Sequence, residues 1–544
     1  MKWFGKGSLA PLVMIISLSS WSLCRAKTIN AATCQFSDVS SAVAQASAGD
    51  IVQLPAGTAV WSQTLTLNGV SLLGAGTNAT ILTDEENRNT SGQMVTLNAV
   101  AGTLSEISNI QFCGGVTNTS ENFYGTIAAY GTLGSSWRID HNFFNGLYAK
   151  NIATYGNSFS VIDHNAFFEK GISIEDNGYV PNDGMGDQSW NLPPTYGLNS
   201  SNALYVENNY FTNLEPYVAS LGACDGEGGA RMVFRYNTVW NDCFNNHGTE
   251  SGGRLRSERS FEIYGNTFNG GSLSPLFAAM LVRGGSGVIF SNTASGYNEM
   301  VALRNYRYTC SYSSTWAPFA GANGLSPFDS NNPTLFLSGT NSAPNGSSYL
   351  QVAGANWTPN QWYGYTVIDT TSGLFSEIVS NTANTIYYIG STPASASIVA
   401  CTALTFNLGD PFQIRQVYVA MDQPGRGSGD LLQDANGGQL LNGILVTIDT
   451  ATGIESWPRQ ALDGVYCWGN TLNGAHSEET SMYPGVLQGR DFYNDTSKPG
   501  YMPFVYPHPL DVSTNTSNGG GGNTNINSNT NIQPPSNLRI IPGP

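Results

Sequence analysis

Apolar and polar positions alternate in short runs along this chain rather than recurring with a helical period. In WRIDHNFFNG (Trp137–Gly146), Ile139 and His141 fall on one face, and Arg138 and Asp140 on the other. That period of two belongs to β-strands. Six more segments repeat the unit: Ser160–Gly171, Leu204–Leu214, Met232–Asp242, Phe261–Gly271, Gly287–Tyr297 and Val465–Ala475. Each has a short β-rich stretch, an Asn, an aromatic or small apolar pair, and a turn. Aligned on Asn142, Asn165, Asn209, Asn237, Asn266 and Asn292, the copies are 23, 44, 28, 29 and 26 residues apart. The step of 44 fits two coils, or one coil carrying a long loop near Asp176–Ser201.

A strand–turn unit cannot bury its apolar face alone, so the copies must stack. The repeated Asn is expected to form a hydrogen-bonded ladder at a turn, because Asn tolerates left-handed backbone and can satisfy loop groups. Upstream, Val39–Ala46 reads as a short amphipathic helix, followed by DIVQLPAGTAVW and LTLNGVSLLGAG. A cap is needed there, since the end of a stack exposes apolar surface and unpaired strand edges. The Asn repeat stops after Tyr308 and returns at Val465. The expected organisation is a leader over 1–26, a cap and main solenoid over 27–308, and an irregular region over 309–415. Within that region a small β-rich insertion is expected at about 341–410. Coils resume around Gln416–Leu432 within a segment 416–512, and a low-complexity Asn/Thr/Gly tail covers 513–544.

The leader reading rests on basic Lys2 and Lys6 and the largely apolar Leu9–Leu23, which have the form of an export signal with cleavage near Ala26. No later run has the roughly 20 apolar residues of a membrane helix. The expectation is a secreted protein without a membrane span, and a monomer. Hydrophobic residues make up 40% of the chain and charged residues only 11%, which suits a turn-rich all-β protein over a helical bundle. The net charge of −16 argues against nucleic acid as a partner. Beyond Cys24 an odd number of cysteines remains. Cys34 with Cys113, Cys224 with Cys243, and Cys310 with Cys401 are candidate pairs for an oxidising compartment, and buried free thiols are the alternative.

The Asn repeat, the LPAG segment and the export signal together resemble secreted bacterial right-handed parallel β-helix proteins of the pectate-lyase-like superfamily, over roughly Thr33–Asn305 and Gln416–His508. The resemblance implies an all-β right-handed parallel β-helix (a solenoid) with a short N-terminal capping helix and a small β-rich insertion. It also implies action on an extracellular polysaccharide, although this fold carries lyases, hydrolases, esterases and binders alike. Trp137–Asn142 is similar to the W-I-D-H motif of calcium-dependent pectate lyases, but the aspartate-rich motif expected after it is absent. The same I-D-H-N recurs at Ile162–Asn165, which makes it a ladder position. The N-T-D and Asp-Asp signatures of pectin hydrolases are absent too.

Positive charge is scarce, so its location is informative. Of 22 Lys and Arg, eight Arg lie in one stretch: Arg231, Arg235, Arg254, Arg256, Arg259, Arg283, Arg304 and Arg307. The guanidinium fork matches a carboxylate bidentately, which points to an anionic polysaccharide. His247-Gly-Thr-Glu250-Ser-Gly-Gly-Arg254-Leu-Arg256 reads as a displayed loop. In a uronate lyase, Arg231, Arg254 or Arg256 would neutralise the sugar carboxylate and His247, or an Arg of lowered pKa, would be the base. In a glycoside hydrolase, Glu250 with Asp225 or Glu227 would be the carboxylate pair. Arg283, Arg307, Trp240 and Arg426 are further candidates for substrate contact. Inter-coil ion pairing of the arginines with Glu227, Glu250, Glu258 and Glu262 is the structural alternative. No cofactor is firmly indicated. Calcium is a candidate through Asp176, Asp183 and Asp187, whose oxygens suit it.

Overall fold

The computed structural model describes residues 26–85, 92–115, 125–147, 150–156, 158–169, 171–178, 198–213, 222–248, 257–271, 276–304, 335–363, 365–388, 404–415, 422–425, 439–441, 444–448, 455–456, 463–481 and 486–511. Its body is a right-handed parallel β-helix. Three long parallel sheets of twelve, eleven and ten strands form the walls, and successive strands of the chain visit them in rotation. The eleven-stranded sheet ends in one antiparallel pairing, Thr471–Leu472 with Ala475–His476.

Alternation places one side of every strand in the interior, and neighbouring coils superimpose like on like. Ile107, Ile139, Ile162, Val206 and Phe234 follow one another in register on the twelve-stranded sheet. On the eleven-stranded sheet Phe144, Phe167 and Phe211 stack with ring centroids 4.8 Å apart, the spacing of adjacent strands. The helix Phe36–Val43 closes the first coil with Val39 and Ala42 buried, a few residues earlier than the expected Val39–Ala46. Gly57 of the LPAG turn is required to be small, because a β-carbon there would lie 2.7 Å from Cys34 Sγ.

The asparagine ladder is continuous. Asn142, Asn165, Asn209, Asn237 and Asn266 each donate their backbone N–H to the Oδ1 of the next Asn at 2.8–3.0 Å. Each Nδ2 also donates to a strand carbonyl one coil back, as from Asn237 to Val206 O at 2.9 Å. The step of 44 is a single coil, since Phe159–Asp163 pairs directly with Leu204–Glu207. The left-handed residue is not the Asn. It is the residue before it: His141, His164, Asn208, Tyr236, Gly265, Ser291 and Gly469 all have φ between 51° and 68°. Asn is needed at the next position because its amide offers an acceptor and donors for groups that the sharp corner leaves open.

Two of the three candidate disulfides are not formed. Cys34, Cys113, Cys224 and Cys243 are all free. Cys34 belongs to the core whereas Cys113 is half-exposed on the outer face. Cys224 stands opposite Phe244, so Cys243 is one position out of register and points to the other face of the sheet. Cys310 and Cys401 lie outside the described residues.

Strands from Leu335–Thr340 to Pro411–Arg415 make a six-stranded sheet with antiparallel pairings and its own core, including Val367, Ile378, Ile386 and Phe412. Of the expected Gln416–Leu432 coil only 422–425 are described, and Gly425 donates to Gly285 O at 3.0 Å. The next wall strand is Val465–Trp468, paired with Ser286–Phe290. After it the chain returns along the outside of the twelve-stranded sheet. Tyr501 bonds Glu262, Arg235 donates to Phe504 O and Val505 O, and His508 N donates to Glu207 at 2.7 Å. Asp511 then receives Arg138 Nη2 at 2.7 Å. This strap buries a line of charges that the alternation had pointed outward. The expected leader over 1–26, apart from Ala26, and the expected tail over 513–544 fall outside the described residues, and among the described residues no helix is long and apolar enough to cross a membrane.

Two substitutions and one control test these contacts. Asn237→Ala orphans the N–H of Asn209 and the carbonyl of Val206 inside the wall, an expected loss of about 2–4 kcal/mol. Exposed Thr293→Ala should stay within about 0.5 kcal/mol of the parent. Arg138→Met leaves buried Asp163 with the half-buried His164 as its remaining partner and should cost about 3 kcal/mol. Urea unfolding followed by circular dichroism reads all three.

Candidate active site

The ten-stranded sheet carries the chemistry. Ile174, Cys224, Phe244 and Met280 are successive residues of one register row, all in the core. Alternation therefore turns Glu175, Asp225 and Asn245 outward, and two positions later Asn177, Glu227, His247 and Arg283. In register, Glu175 stands beside Asp225 and Asn177 beside Glu227. Continuing the same register, Glu227 stands beside His247, whose N–H donates to Gly226 O at 2.9 Å, and His247 beside Arg283. Each neighbour is about 4.8 Å from the next, the strand spacing.

Two contacts and one repulsion set the electrostatics of this face. His247 Nδ1 lies against Asp225 Oδ2. Lys150 Nζ meets Glu175 Oε2. Burial, and then the Glu227 charge, push Glu175 up to about 7 against the pull of Lys150. Glu175, Asp225, His247 and Arg283 are buried in this fold, and Glu227 is half-buried.

Behind this face the interior is polar, as it also is at Asp84 and at Glu479. Asp176 points inward and accepts from Thr154 Oγ1 at 2.7 Å. Burial pushes it up to about 7 despite that bond and one from the Arg231 backbone. Glu258 accepts from Asn246 Nδ2 at 2.6 Å, and burial raises its carboxyl well above the ordinary range. Its carboxyl lies over Gly226, where a β-carbon would sit 2.7 Å from Glu258 Cδ, so Gly226 makes the room. Asn246 in turn accepts the Arg283 N–H on Oδ1 at 2.6 Å and Arg283 Nε on its carbonyl at 2.7 Å. The interior pair thus sets the backbone and guanidinium of an outward residue.

The structure brings His247, Asp225, Glu227 and Arg283 together, with Arg231 opening the adjoining strand just past the turn from Glu227. Glu250, Arg254, Arg256, Arg307 and Arg426, and Asp183 and Asp187, lie outside the described residues. Asp176 lies on the strand Ile174–Asn177 and faces the interior. Trp240 is on the eleven-stranded sheet, a different wall. The arginine group divides: Arg235 is locked to Glu207 under the strap and Arg304 pairs with Glu299. Glu262 bonds Tyr501 and Glu258 is interior. Sequence reasoning missed Lys150, Glu175, Asn177 and Asn246. The signal available was the acidic pair of segments Glu175-Asp-Asn177 and Asp225-Gly-Glu227, which superimpose one coil apart.

Neither a family model nor a curated protein sequence matches the chain. Among solved structures it is similar to the PL6 family alginate lyase AlyGC, at 16% identity and a TM-score of 0.31, over 51% of this chain and 40% of that one. The Dettilon tailspike protein aligns at 12% identity and a TM-score of 0.28, over 69% of this chain and 89% of that one. A single-substitution variant of a GH87 α-1,3-glucanase catalytic domain in complex with nigerose aligns at 11% identity and a TM-score of 0.25, over 51% of this chain and 60% of that one. The chain spans about 40% of the length of the alginate lyase.

The buried acids make stability depend on pH. Asp176 binds its proton up to about 7 when folded but only to about 4 when unfolded, so the folded state holds the extra proton in between. Stability should fall as pH rises through that window. Asp176→Asn should flatten the slope and, at pH 7.5, gain about 2 kcal/mol over the parent. Thermal midpoints from pH 4 to 8 check both.

Proposed function

We propose that the outer face of the ten-stranded sheet is the active site of a secreted enzyme that cleaves a uronate-containing polysaccharide by β-elimination. The observation that carries the reading is the row Glu227, His247 and Arg283 on consecutive coils, with Asp225 against His247 Nδ1. In this reaction the proton on the carbon next to the sugar carboxylate is removed. The electron pair forms a double bond to the neighbouring carbon, and the glycosidic oxygen leaves from that carbon and takes up a proton. Arg283, with Arg231, is assigned to the carboxylate, where a guanidinium lowers the cost of negative charge building up on it. His247 Nε2 is assigned the proton, with Asp225 stabilising the imidazolium that results. Arg254 and Arg256 remain candidates for the same neutralising role.

Calcium, the candidate cofactor for its oxygen ligands, would supply a further positive charge for the sugar carboxylate if bound at this face. One observation favours a second reading. Glu175, raised to about 7, beside the carboxylates of Asp225 and Glu227 is the protonated-plus-ionised pairing that a glycoside hydrolase uses.

The test is incubation of the mature protein with polyuronates and neutral polymers, with and without calcium, following both the absorbance of an unsaturated uronate and new reducing ends. The lyase reading expects absorbance on a polyuronate, reduced about 10²–10⁴-fold in His247→Ala, and by a similar order in Arg283→Ala. Reducing ends without absorbance, abolished by Glu175→Gln, would transfer the assignment to a hydrolase. No product from any polymer overturns both.

A further inference from the structure

The eleven-stranded sheet is a separate wall, and the outer face of its middle coils is uncharged and aromatic. Two register rows face outward on it, one running from Phe143 to Thr293 and the other from Asn145 to Ser295. Neither row carries a charged side chain, in a protein with a net charge of −16. Instead four consecutive coils each present one aromatic: Phe143, Phe168, Tyr210 and Trp240. Phe143 meets Phe168 edge-on at 5.3 Å, and Phe168 lies 5.9 Å from Tyr210. The stripe therefore extends along the solenoid axis for three strand spacings, about 14 Å.

Its end is built. Trp240 is 40% exposed, although a residue of this size is commonly buried. Its indole rests on Gly271, where a β-carbon would lie 2.8 Å from Nε1, and Gly271 also needs its positive φ of 62°. Glycine at that position lets the ring lie down and leaves its other side open. Beyond the aromatics the same rows continue as hydroxyls and amides: Thr238, Thr267 and Thr293, all exposed, and the half-buried Asn269.

We infer that this face is a second polysaccharide-binding surface, distinct from the ten-stranded sheet, and that its ligand is an uncharged sugar chain. Aromatic rings interspersed with uncharged hydrogen-bonding groups match the apolar faces and hydroxyl edges of pyranose rings. The absence of charge matches a ligand without charge and gives no purchase to an anionic polymer or a basic protein. A bound chain lies along the axis, with its rings against the aromatics and its hydroxyls against the Thr and Asn positions. Because no ion pair takes part, affinity is insensitive to salt, unlike binding at the candidate active site.

The test uses the full mature chain in native gels containing dextran, a mixed-linkage glucan or hydroxyethyl cellulose, with sodium alginate as the charged comparison. Retardation by at least one neutral polymer is expected, unchanged from low salt to about 0.5 M, a range over which exposed charges are screened. Trp240→Ala and Phe168→Ala, each confirmed folded by circular dichroism, should weaken it at least fivefold, and His247→Ala should leave it intact. Retention unaffected by either aromatic substitution overturns the inference, as does the absence of retardation by every neutral polymer. A mass that doubles with concentration and reverts in Trp240→Ala assigns the face to a second copy and overturns it too. Binding is read without turnover, so loss of activity in His247→Ala alone bears only on the ten-stranded sheet.

Discussion

The fold depends on the corner where the chain leaves the twelve-stranded sheet for the eleven-stranded one. The turn there needs a left-handed residue in each coil, which for side chains such as His141 or Tyr236 is an uphill conformation. It also leaves buried backbone groups without strand partners. The Asn that follows resolves this by accepting from the coil before it and donating to that coil's carbonyl, so each corner is held by its neighbours. The strain is local and the compensation is shared along the stack. At the far end Asn470 has no further Asn, and Glu478 takes over by accepting from both its N–H and its Nδ2.

A rigid corner fixes where every later residue of the coil points. Side chains on the ten-stranded sheet consequently line up to within one strand spacing although loops of very different length separate them. The same alternation also turns charged residues into the wall. On the twelve-stranded sheet the outward charges are covered by the returning strap, and Arg235 is the extreme case, wholly buried between Glu207 and two carbonyls of the strap. Behind the candidate site the polar groups are inside the solenoid, where Asn246 links Glu258 to Arg283.

Much of the wall was legible in the sequence, because the Asn repeat marks the one corner whose geometry recurs unchanged. The ladder residues, the apolar rows and the capping helix all follow from it. The site was half legible. His247, Asp225, Glu227 and Arg283 stood out as rare residue types, yet Lys150 and Glu175 did not, and Trp240, offered as a further substrate contact, lies on another wall. The physical reason lies in the loops. The strands that carry the site begin at Ile152, Ile174, Cys224 and Phe244, at different distances from Asn142, Asn165, Asn209 and Asn237. Without a constant offset, the second strand of one coil cannot be aligned with that of the next by counting. Disulfide pairing failed for a related reason: Cys224 and Cys243 are close in the chain but one register position apart, and so on opposite faces.

The ladder step from Asn292 to Asn470 crosses 178 residues, yet its bond is 3.0 Å long, like those across 26 or 29. In the growing chain the last coil cannot dock until the whole intervening segment has been made. Compared with a step of 26, that delay is fewer than three doublings of loop length, an entropic cost of only about 1.7 kcal/mol. The corner after Leu303 is therefore a tolerant port in an otherwise sequentially assembled wall. An autonomous module can be housed there with little thermodynamic consequence, while the exposed edge of the preceding coil waits longer for its cover.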